Sequence, residues 1–190
     1  MNPALPDIEL NKVRKSGVKL LLHICCGPCS IHPARTLAQN GFAVDGFFYN
    51  PNIHPQTEYI LRREALCAAT KQSSMKIVIP QYNADEFYKY IGTNEQKPER
   101  CGRCWELRLR KTAEFAGKNG YDAFTTTLLI SPYQDHNSIK YIGEKLANEF
   151  KADFHYADLR PGFSHSQSSA RDMRIYRQKY CGCDFSLRNK

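Results

Sequence analysis

The sequence lacks any apolar run that approaches the roughly 18 residues needed to cross a bilayer. Its first residues, MNPALPDIELNKVRKSG, also lack the apolar core of a signal peptide. It has no internal repeat, low-complexity tract or long linker. These absences argue against membrane, secreted and repeat proteins, so we expect one cytoplasmic globular domain with no membrane partner.

Acidic residues are also scarce, since 19 Asp and Glu face 27 Lys and Arg and the formal net charge is +8. The cations concentrate in RCGRCWELRLRK (100–111) and RDMRIYRQKYCGC (171–183), each with an aromatic residue beside a cysteine pair. A solvated helix face explains one such cluster. Two clusters beside candidate chemistry are equally consistent with solvated helix faces and with binding of an anionic macromolecule, most simply a nucleic acid. The candidate phosphate contacts are Arg100, Arg103, Arg171, Arg174 and Arg177.

Short apolar or β-branched segments alternate with longer helical patterns along the chain. The predicted strands are VKLLLHI, FAVDGFFY, KIVIP, DAFTTTLL and DFHYAD. The predicted helices cover residues 30–40, 55–73, 84–91, 101–118, 137–150 and 167–180. This alternation indicates a single-domain α/β fold, a doubly wound and mostly parallel sheet of about five strands over residues 18–190, after an N-terminal extension of residues 1–17. Ligands of such sheets bind beyond the carboxyl ends of the strands.

Seven of the eight cysteines fall into three separated groups. A reducing compartment keeps thiols reduced, so these cysteines indicate metal or redox chemistry more than a disulfide framework. The spacing of Cys101 and Cys104 puts both sulfur atoms on one face of a helix. Gly182 permits a turn that brings Cys181 and Cys183 together. Together with Cys25, Cys26 and Cys29, these two pairs give seven thiols, more than the four thiolates that a cubane iron–sulfur cluster requires.

Two alternatives to iron–sulfur chemistry stay open. A structural zinc site favours paired C-x-x-C knuckles, but neither the vicinal CC nor CGC has that spacing. Such a site would suit a zinc-stabilised RNA-binding module without enzymatic activity. Cys26 and Cys29 form C-G-P-C, the dithiol spacing of thioredoxin-like oxidoreductases, but this interpretation leaves the other cysteine groups without a role. We expect Cys67 to be a small core residue.

Five segments together resemble the cobalamin-independent epoxyqueuosine reductases, the QueH family. They are HICCGPCS, FYNPNIHPQTEY, RCGRCWELRL, TTTLLISPYQDH and RQKYCGCDFSL. The resemblance runs from about residue 18 to residue 188 and keeps the family's order of motifs. It implies a fold similar to the nucleotide-binding HUP or Rossmann-like folds of tRNA-modifying enzymes.

The resemblance also implies an activity, the last step of queuosine synthesis. Epoxyqueuosine at the wobble position of tRNA loses its epoxide oxygen, with electrons from an unidentified low-potential donor. The implied cofactors are a 4Fe-4S cluster and a mononuclear iron close to it. The ligand pool by position is Cys25, Cys26, Cys101, Cys104, Cys181 and Cys183. Some relatives have an aspartate at the position of Cys29, where it could bind the mononuclear iron. A cysteine at this position differs from that family pattern.

The segment SPYQDHNS follows the fourth predicted strand and offers candidates for proton transfer or substrate orientation. These are Tyr133, Asp135 and His136. A structural alternative is that Asp135 or Asn137 caps the following helix. For His23 and His54, a structural role and a role in the site are both consistent with the sequence.

Overall fold

The strand Lys19–His23, β1, lies at the centre of a five-stranded sheet in the computed structural model, which describes residues 17–188. Of the predicted N-terminal extension, only Gly17 is among the described residues. The other strands are β2 (Ala43–Phe47), β3 (Ile77–Val78), β4 (Ala123–Thr126) and β5 (Asp153–Phe154). Their order is β3-β2-β1-β4-β5, and every neighbouring pair is parallel. The predicted doubly wound α/β fold is confirmed.

Seven α-helices occur among the described residues, and helical crossovers connect most of the strands. They are α1 (Gly27–Gln39), α2 (Gln56–Thr70), α3 (Asp85–Ile91), α4 (Glu99–Lys118), α5 (His136–Phe150), α6 (Phe163–Asp172) and α7 (Asp184–Arg188). Short 3-10 helices cover Thr127–Ile130 and Arg160–Gly162. In the part of the chain that the structure describes, no helix has the length and apolar character to cross a membrane.

The strand β1 is buried on both faces of the sheet, as its continuous apolar sequence predicts. Leu21 packs into a cluster with side chains from α4 and α5. Leu20 and Leu22 point to the other face and pack with side chains from α1 and α2. All three leucines have no solvent exposure. The helices on opposite faces therefore shield the central strand, and the carboxyl ends of the strands stay available at one edge.

The last predicted helix is wrong in its bounds. The sequence pattern predicts a helix over residues 167–180, whereas α6 ends at Asp172 and residues 173–183 form neither helix nor strand. Arg174 adopts a left-handed backbone conformation with φ 53°, which ends the helix. Beyond it, the side chains of Tyr176 and Tyr180 hydrogen-bond to Glu58 and to the carbonyl of His54. These tertiary contacts direct the chain toward α2 instead of continuing the helix.

The candidate site lies where the carboxyl ends of β1 and β4 meet. The backbone N–H of Cys25 donates to the Thr127 hydroxyl over 3.0 Å, so the loops after the two strands are joined. Gly27 starts α1 directly after this loop, and a Cβ there would lie 2.4 Å from the carbonyl oxygen of Ala65. Only glycine permits this close approach of α1 to α2, which positions the first cysteine group.

Candidate metal centre

Three distant segments of the chain bring cysteines to the wall of one cavity of about 590 Å³. The cavity opens at the carboxyl edge of the sheet, where ligands of doubly wound folds bind. The cysteines on its wall are Cys25, Cys29, Cys101, Cys104, Cys181 and Cys183. The sulfur of Cys26 lies behind this wall, 3.8 Å from that of Cys25. The structure therefore brings together all seven cysteines that the sequence predicts as ligands.

Cys25, Cys26 and Cys29 form a compact triad. Among the described residues, this is the one group of three or more potential metal ligands that is close enough to share an ion, and its donor atoms all lie within 4.8 Å of each other. Hydrogen bonding to Cys26, and then to Cys29, holds the pKa of Cys25 well below its usual range. The Thr127 hydroxyl donates to the Cys25 sulfur over 3.3 Å and further stabilises its thiolate. Three sulfur atoms this close could share a single metal ion.

The other four cysteines form a second group, which we call the tetrad: Cys101, Cys104, Cys181 and Cys183. The first pair lies in the first turns of α4, and the sulfur atoms of the second pair are 3.9 Å apart. Hydrogen bonding to Cys183, and then to Ser186, lowers the pKa of Cys181 to about 5. Burial raises the pKa of Cys104 to about 11, and the negative charge on Cys181 adds to this rise. All four of these cysteines line the same cavity, but among the described residues only the triad brings three or more ligand atoms within 4.8 Å of each other.

The geometry argues against a thioredoxin-like dithiol at Cys26 and Cys29. Such a dithiol needs an accessible thiolate with a low pKa. Cys26 is fully buried and burial raises its pKa, while hydrogen bonding to Cys25 raises the pKa of Cys29. The low pKa belongs to Cys25, which is outside the C-G-P-C pair. The triad is therefore better suited to metal binding than to thiol exchange.

Positive charge dominates the cavity wall. Arg62, Arg108 and Arg177 contribute to it, and none of the described Asp or Glu residues lines it. Arg108 is 5% exposed and donates from Nε to the carbonyl oxygen of Cys104 over 3.2 Å. Burial of Cys104 raises its pKa. The adjacent positive charge of Arg108 lowers that pKa and favours the thiolate.

The predicted phosphate contacts differ in their accessibility. Arg171 and Arg177 are exposed and lie on the cavity wall, and Arg103 and Arg174 are exposed elsewhere. Arg100 is only 3% exposed, donates to the carbonyl oxygen of Glu95 and lies over the ring of Phe185. Their contacts with nucleic acid stay predictions, and Arg171 and Arg177 have the accessible charge that such contacts require.

Of the three candidates for proton transfer, one lines the cavity. Tyr133 is 83% exposed and packs edge-on against Phe163 at the cavity wall. Asp135 is the N-cap of α5, and its side chain accepts a hydrogen bond from the Ser138 N–H over 3.1 Å. His136 is buried and shares a hydrogen bond with the Tyr156 hydroxyl. The capping alternative therefore accounts for Asp135, while a catalytic role for any of the three stays a prediction.

His23 and His54, the other two histidines that the sequence singles out, are also buried. His23 shares hydrogen bonds with the Thr126 hydroxyl and the Tyr49 carbonyl, and burial lowers its pKa to about 3. His23 therefore serves as a neutral core residue that joins β1 to β4. The ring of His54 stacks on Tyr88 with the ring centroids 4.8 Å apart.

The expectation that Cys67 is a core residue is wrong. Cys67 is exposed on α2, whereas Ala65 and Leu66 are buried. A helix turns by about 100° per residue, so the position after Leu66 already leaves the buried face. Cys67 lies outside both cysteine groups and provides a natural control for experiments on them.

The sequence interpretation missed three polar residues at the cavity. Arg62 and Arg108 are buried cations, and the Gln178 amide donates to the Cys29 sulfur over 3.7 Å. One signal was available for Arg62, because it follows Glu58 by four residues on the α2 face that also carries Leu66. An ion pair on an apolar helix face indicates burial of the charge, and burial of a charge requires partners elsewhere in the fold.

Comparison with known families gives a clear match. The family model described as Epoxyqueuosine reductase QueH matches residues 20–189. A relative of that name from Dehalococcoides mccartyi is 38% identical over 169 residues, which is 88% of this chain and 92% of the relative. Its counterpart from Acinetobacter baylyi is 34% identical over 191 residues, covering 97% of this chain and 87% of the relative.

Solved structures with a similar fold come from proteins that are named for tRNA modification. The chain is similar to the U34-tRNA thiolase NcsA from Methanococcus maripaludis, solved with its 4Fe-4S cluster, at a TM-score of 0.56 and 15% identity. That match covers 92% of this chain and 63% of the thiolase. A predicted subunit of tRNA methyltransferase from Methanocaldococcus jannaschii matches with a TM-score of 0.53 and 14% identity, covering 81% and 74% of the two chains. At these identities the similarity shows the shared fold.

The cap of α5 can be tested by substitution of Asp135. Asp135→Ala removes the acceptor for the Ser138 N–H and is expected to lower the free energy of unfolding by about 1 kcal/mol. Asp135→Asn keeps an acceptor and is expected to stay close to the original protein. Urea unfolding followed by circular dichroism measures both. Equal stability of the three proteins would contradict the capping role.

Proposed function

Because the chain belongs to the epoxyqueuosine reductase QueH family, we propose that it reduces epoxyqueuosine to queuosine at the wobble position of tRNA. The reaction cleaves both carbon–oxygen bonds of the epoxide and leaves a carbon–carbon double bond. It consumes two electrons and two protons and releases the oxygen as water. Side chains can supply the protons, but no side chain supplies both low-potential electrons and a Lewis acid for the departing oxygen, so we infer a metal-containing redox cofactor and an external donor. The donor would be an unidentified low-potential reductant.

The observation that carries this proposal is the meeting of six cysteines on the cationic wall of one cavity, with the Cys26 sulfur directly behind that wall. A cavity of about 590 Å³ lies within the usual range for small-molecule sites, and a modified base could enter it if it left the anticodon stack. The arginines and lysines on the wall suit the phosphates that flank such a base. One site would therefore combine metal ligands with contacts to RNA.

We assign the 4Fe-4S cluster to the tetrad and the additional iron to the triad. Four thiolates are the usual complement of a cubane cluster, and the tetrad supplies them from two segments. The three closely spaced sulfur atoms of the triad would hold a single iron. When bound, the cluster would supply single electrons and the iron would provide Lewis-acid chemistry for the departing oxygen.

The protein side chains would orient the substrate and supply protons. Tyr133 is the predicted proton donor that faces the cavity, and its exposed ring is also available to contact a base. Arg171 and Arg177 would hold the tRNA backbone. The substrate tRNA agrees with the cytoplasmic location that the sequence predicts.

The activity is tested directly with tRNA that carries epoxyqueuosine. Full-length protein loaded anaerobically with iron and sulfide, together with a low-potential reductant, is expected to produce queuosine. Nucleoside mass spectrometry will detect the loss of one oxygen atom. If the purified protein contains zinc without sulfide, binds tRNA and leaves the nucleoside unchanged, it is the zinc-stabilised RNA-binding module instead. Metal-free protein that reduces disulfides would support the dithiol alternative.

The assignment of the cysteines predicts different metal losses for different variants. Inorganic sulfide belongs to the cluster alone, so Cys183→Ala is expected to lower iron and sulfide together, and so is a chain that ends at Tyr180. Cys29→Ala is expected to lower iron while sulfide stays bound. The exposed Cys67→Ala should retain both. Iron and sulfide analysis of anaerobically purified proteins measures these contents, and full sulfide in the truncated chain would rule out the tetrad.

The RNA-binding role of the exposed arginines predicts a dependence on salt. Arg171→Gln and Arg177→Gln should each reduce the slope of log affinity for tRNA against log salt concentration, by about 0.7 to 0.9 for each phosphate that the variant no longer neutralises. Iron content should not change. Lys71→Gln, an exposed residue away from the cavity wall, is the matched control. Filter binding over a range of salt concentrations measures the slopes. An unchanged slope in both arginine variants would show that these residues do not bind the RNA backbone.

A further inference from the structure

The buried ion pair of Glu58 and Arg62 connects α2 to the segment that carries the last two cysteines. We propose that this pair is a positioning element of the metal centre, which holds residues 176–182 against α2 and places a permanent positive charge between the triad and the tetrad. The proposal rests on the metal site of the proposed function. It concerns side chains that bind no metal themselves.

The pair is buried to an extent that is unusual for charged residues. The side chains of Arg62 and Glu58 are 2% and 8% exposed, and Arg62 Nε donates to Glu58 Oε1 over 2.7 Å. Removing two charges from water often costs more than their attraction returns, so a well-packed apolar pair would stabilise α2 at least as well. The stability of α2 alone therefore does not explain the pair, and its remaining hydrogen bonds indicate a further role.

These hydrogen bonds lead to the cysteine segment. Arg62 Nη2 donates to the carbonyl oxygen of Tyr180 over 3.0 Å, and Nη1 donates to that of Cys181 over 3.2 Å. The planar guanidinium presents its donors in a fixed fork, which suits two consecutive carbonyl groups. It also lies 5.2 Å from the centre of the Tyr180 ring. One side chain thus fixes the backbone immediately before and at the first cysteine of the pair.

Glu58 holds the same segment at a second point. Its Oε2 accepts a hydrogen bond from the Tyr176 hydroxyl over 2.6 Å, while Oε1 is used by Arg62. Gly182 lies against the guanidinium, since a Cβ there would be 3.1 Å from Arg62 Nη1, and its φ of 117° also favours glycine. Residues 176–182 lie in no helix or strand, and the His54 N–H also donates to the Gly182 carbonyl over 2.8 Å, so the ion pair and the loop before α2 hold this segment together.

Arg62 also lies beside the first cysteine group. Arg62 lines the cavity together with Cys25. Arginine stays protonated at any physiological pH, so the positive charge that Arg62 brings to the cavity wall is permanent. Arg62 therefore contacts the backbone of one cysteine group and lines the cavity beside the other.

Arg62→Met tests the proposal in the full-length chain. It should lower bound iron and sulfide severalfold, and Arg62→Lys, which keeps the charge but not the fork, should restore part of the metal. In the metal-free protein, hydrogen exchange of the His54 N–H, which donates to the Gly182 carbonyl over 2.8 Å, should accelerate by about tenfold or more in Arg62→Met, because the segment that accepts this bond loses two hydrogen bonds from a charged donor. Lys118→Met is the control, since it breaks an exposed pair with the same spacing on α4.

A milder variant covers the case in which Arg62→Met does not fold. Tyr176→Phe removes one hydrogen bond to Glu58 and leaves the buried pair intact, so it should accelerate exchange of the same His54 N–H by about fivefold. Unchanged exchange in the folded variants, or full metal in Arg62→Met, would overturn the proposal. The exchange measurement needs neither metal nor substrate. A wild-type protein without iron would therefore contradict the proposed function and still allow the positioning role to be decided.

Discussion

The candidate site depends on the parallel pairing of β1 with β4 at the centre of the sheet. The helices that follow these two strands pack on opposite faces, α1 with Leu20 and Leu22 and α5 with Leu21. The chain therefore leaves the two neighbouring strands in opposite directions, and a crevice opens between their carboxyl ends. The hydrogen bond between Cys25 and Thr127 joins the loops at this crevice. Without the pairing, the triad and the cysteines of α4 would share no common edge.

The distribution of charge around the crevice serves both metal and RNA. Burial alone would keep most of these thiols protonated, as the raised pKa values of Cys26 and Cys104 show. Guanidinium groups near the sulfur atoms act in the opposite direction, and the described part of the cavity wall has no carboxylate that would neutralise them. The same positive charge would attract the phosphates of a tRNA substrate. Metal binding and substrate binding would thus depend on one electrostatic feature.

The two cysteine groups are held by different kinds of structure. The triad follows β1 and opens α1, so the sheet and a regular helix position it. Cys181 and Cys183 lie on a segment without regular structure, and buried side chains of α2 hold it. Binding of metal by thiolates from three distant segments favours the native state over the unfolded chain. Hydrogen bonds from Arg62 can prepare one of these segments before any metal binds.

The regular elements could be predicted from the sequence because they follow local periodicity. The apolar run of β1, the alternation of strands with helices and the three cysteine groups all appear in short windows, and the parallel fold and its functional edge follow from them. The predicted bounds of the last helix are wrong because tertiary contacts of Tyr176 and Tyr180 determine the backbone beyond α6.

The arrangement within the site was decided by tertiary structure. The meeting of the α4 cysteines and of Cys181 and Cys183 with the triad at one cavity depends on contacts between distant segments, which local spacing does not encode. The role of Asp135 also depends on tertiary structure. Its residue type and position suit both a helix cap and an acid, and the hydrogen bond from the Ser138 N–H identifies it as a cap. Sequence by itself determined which residue types reach the edge of the sheet. Only the folded chain determined that Arg62 is buried, because the carbonyl group of Tyr180 that accepts its hydrogen bond lies 118 residues away along the chain.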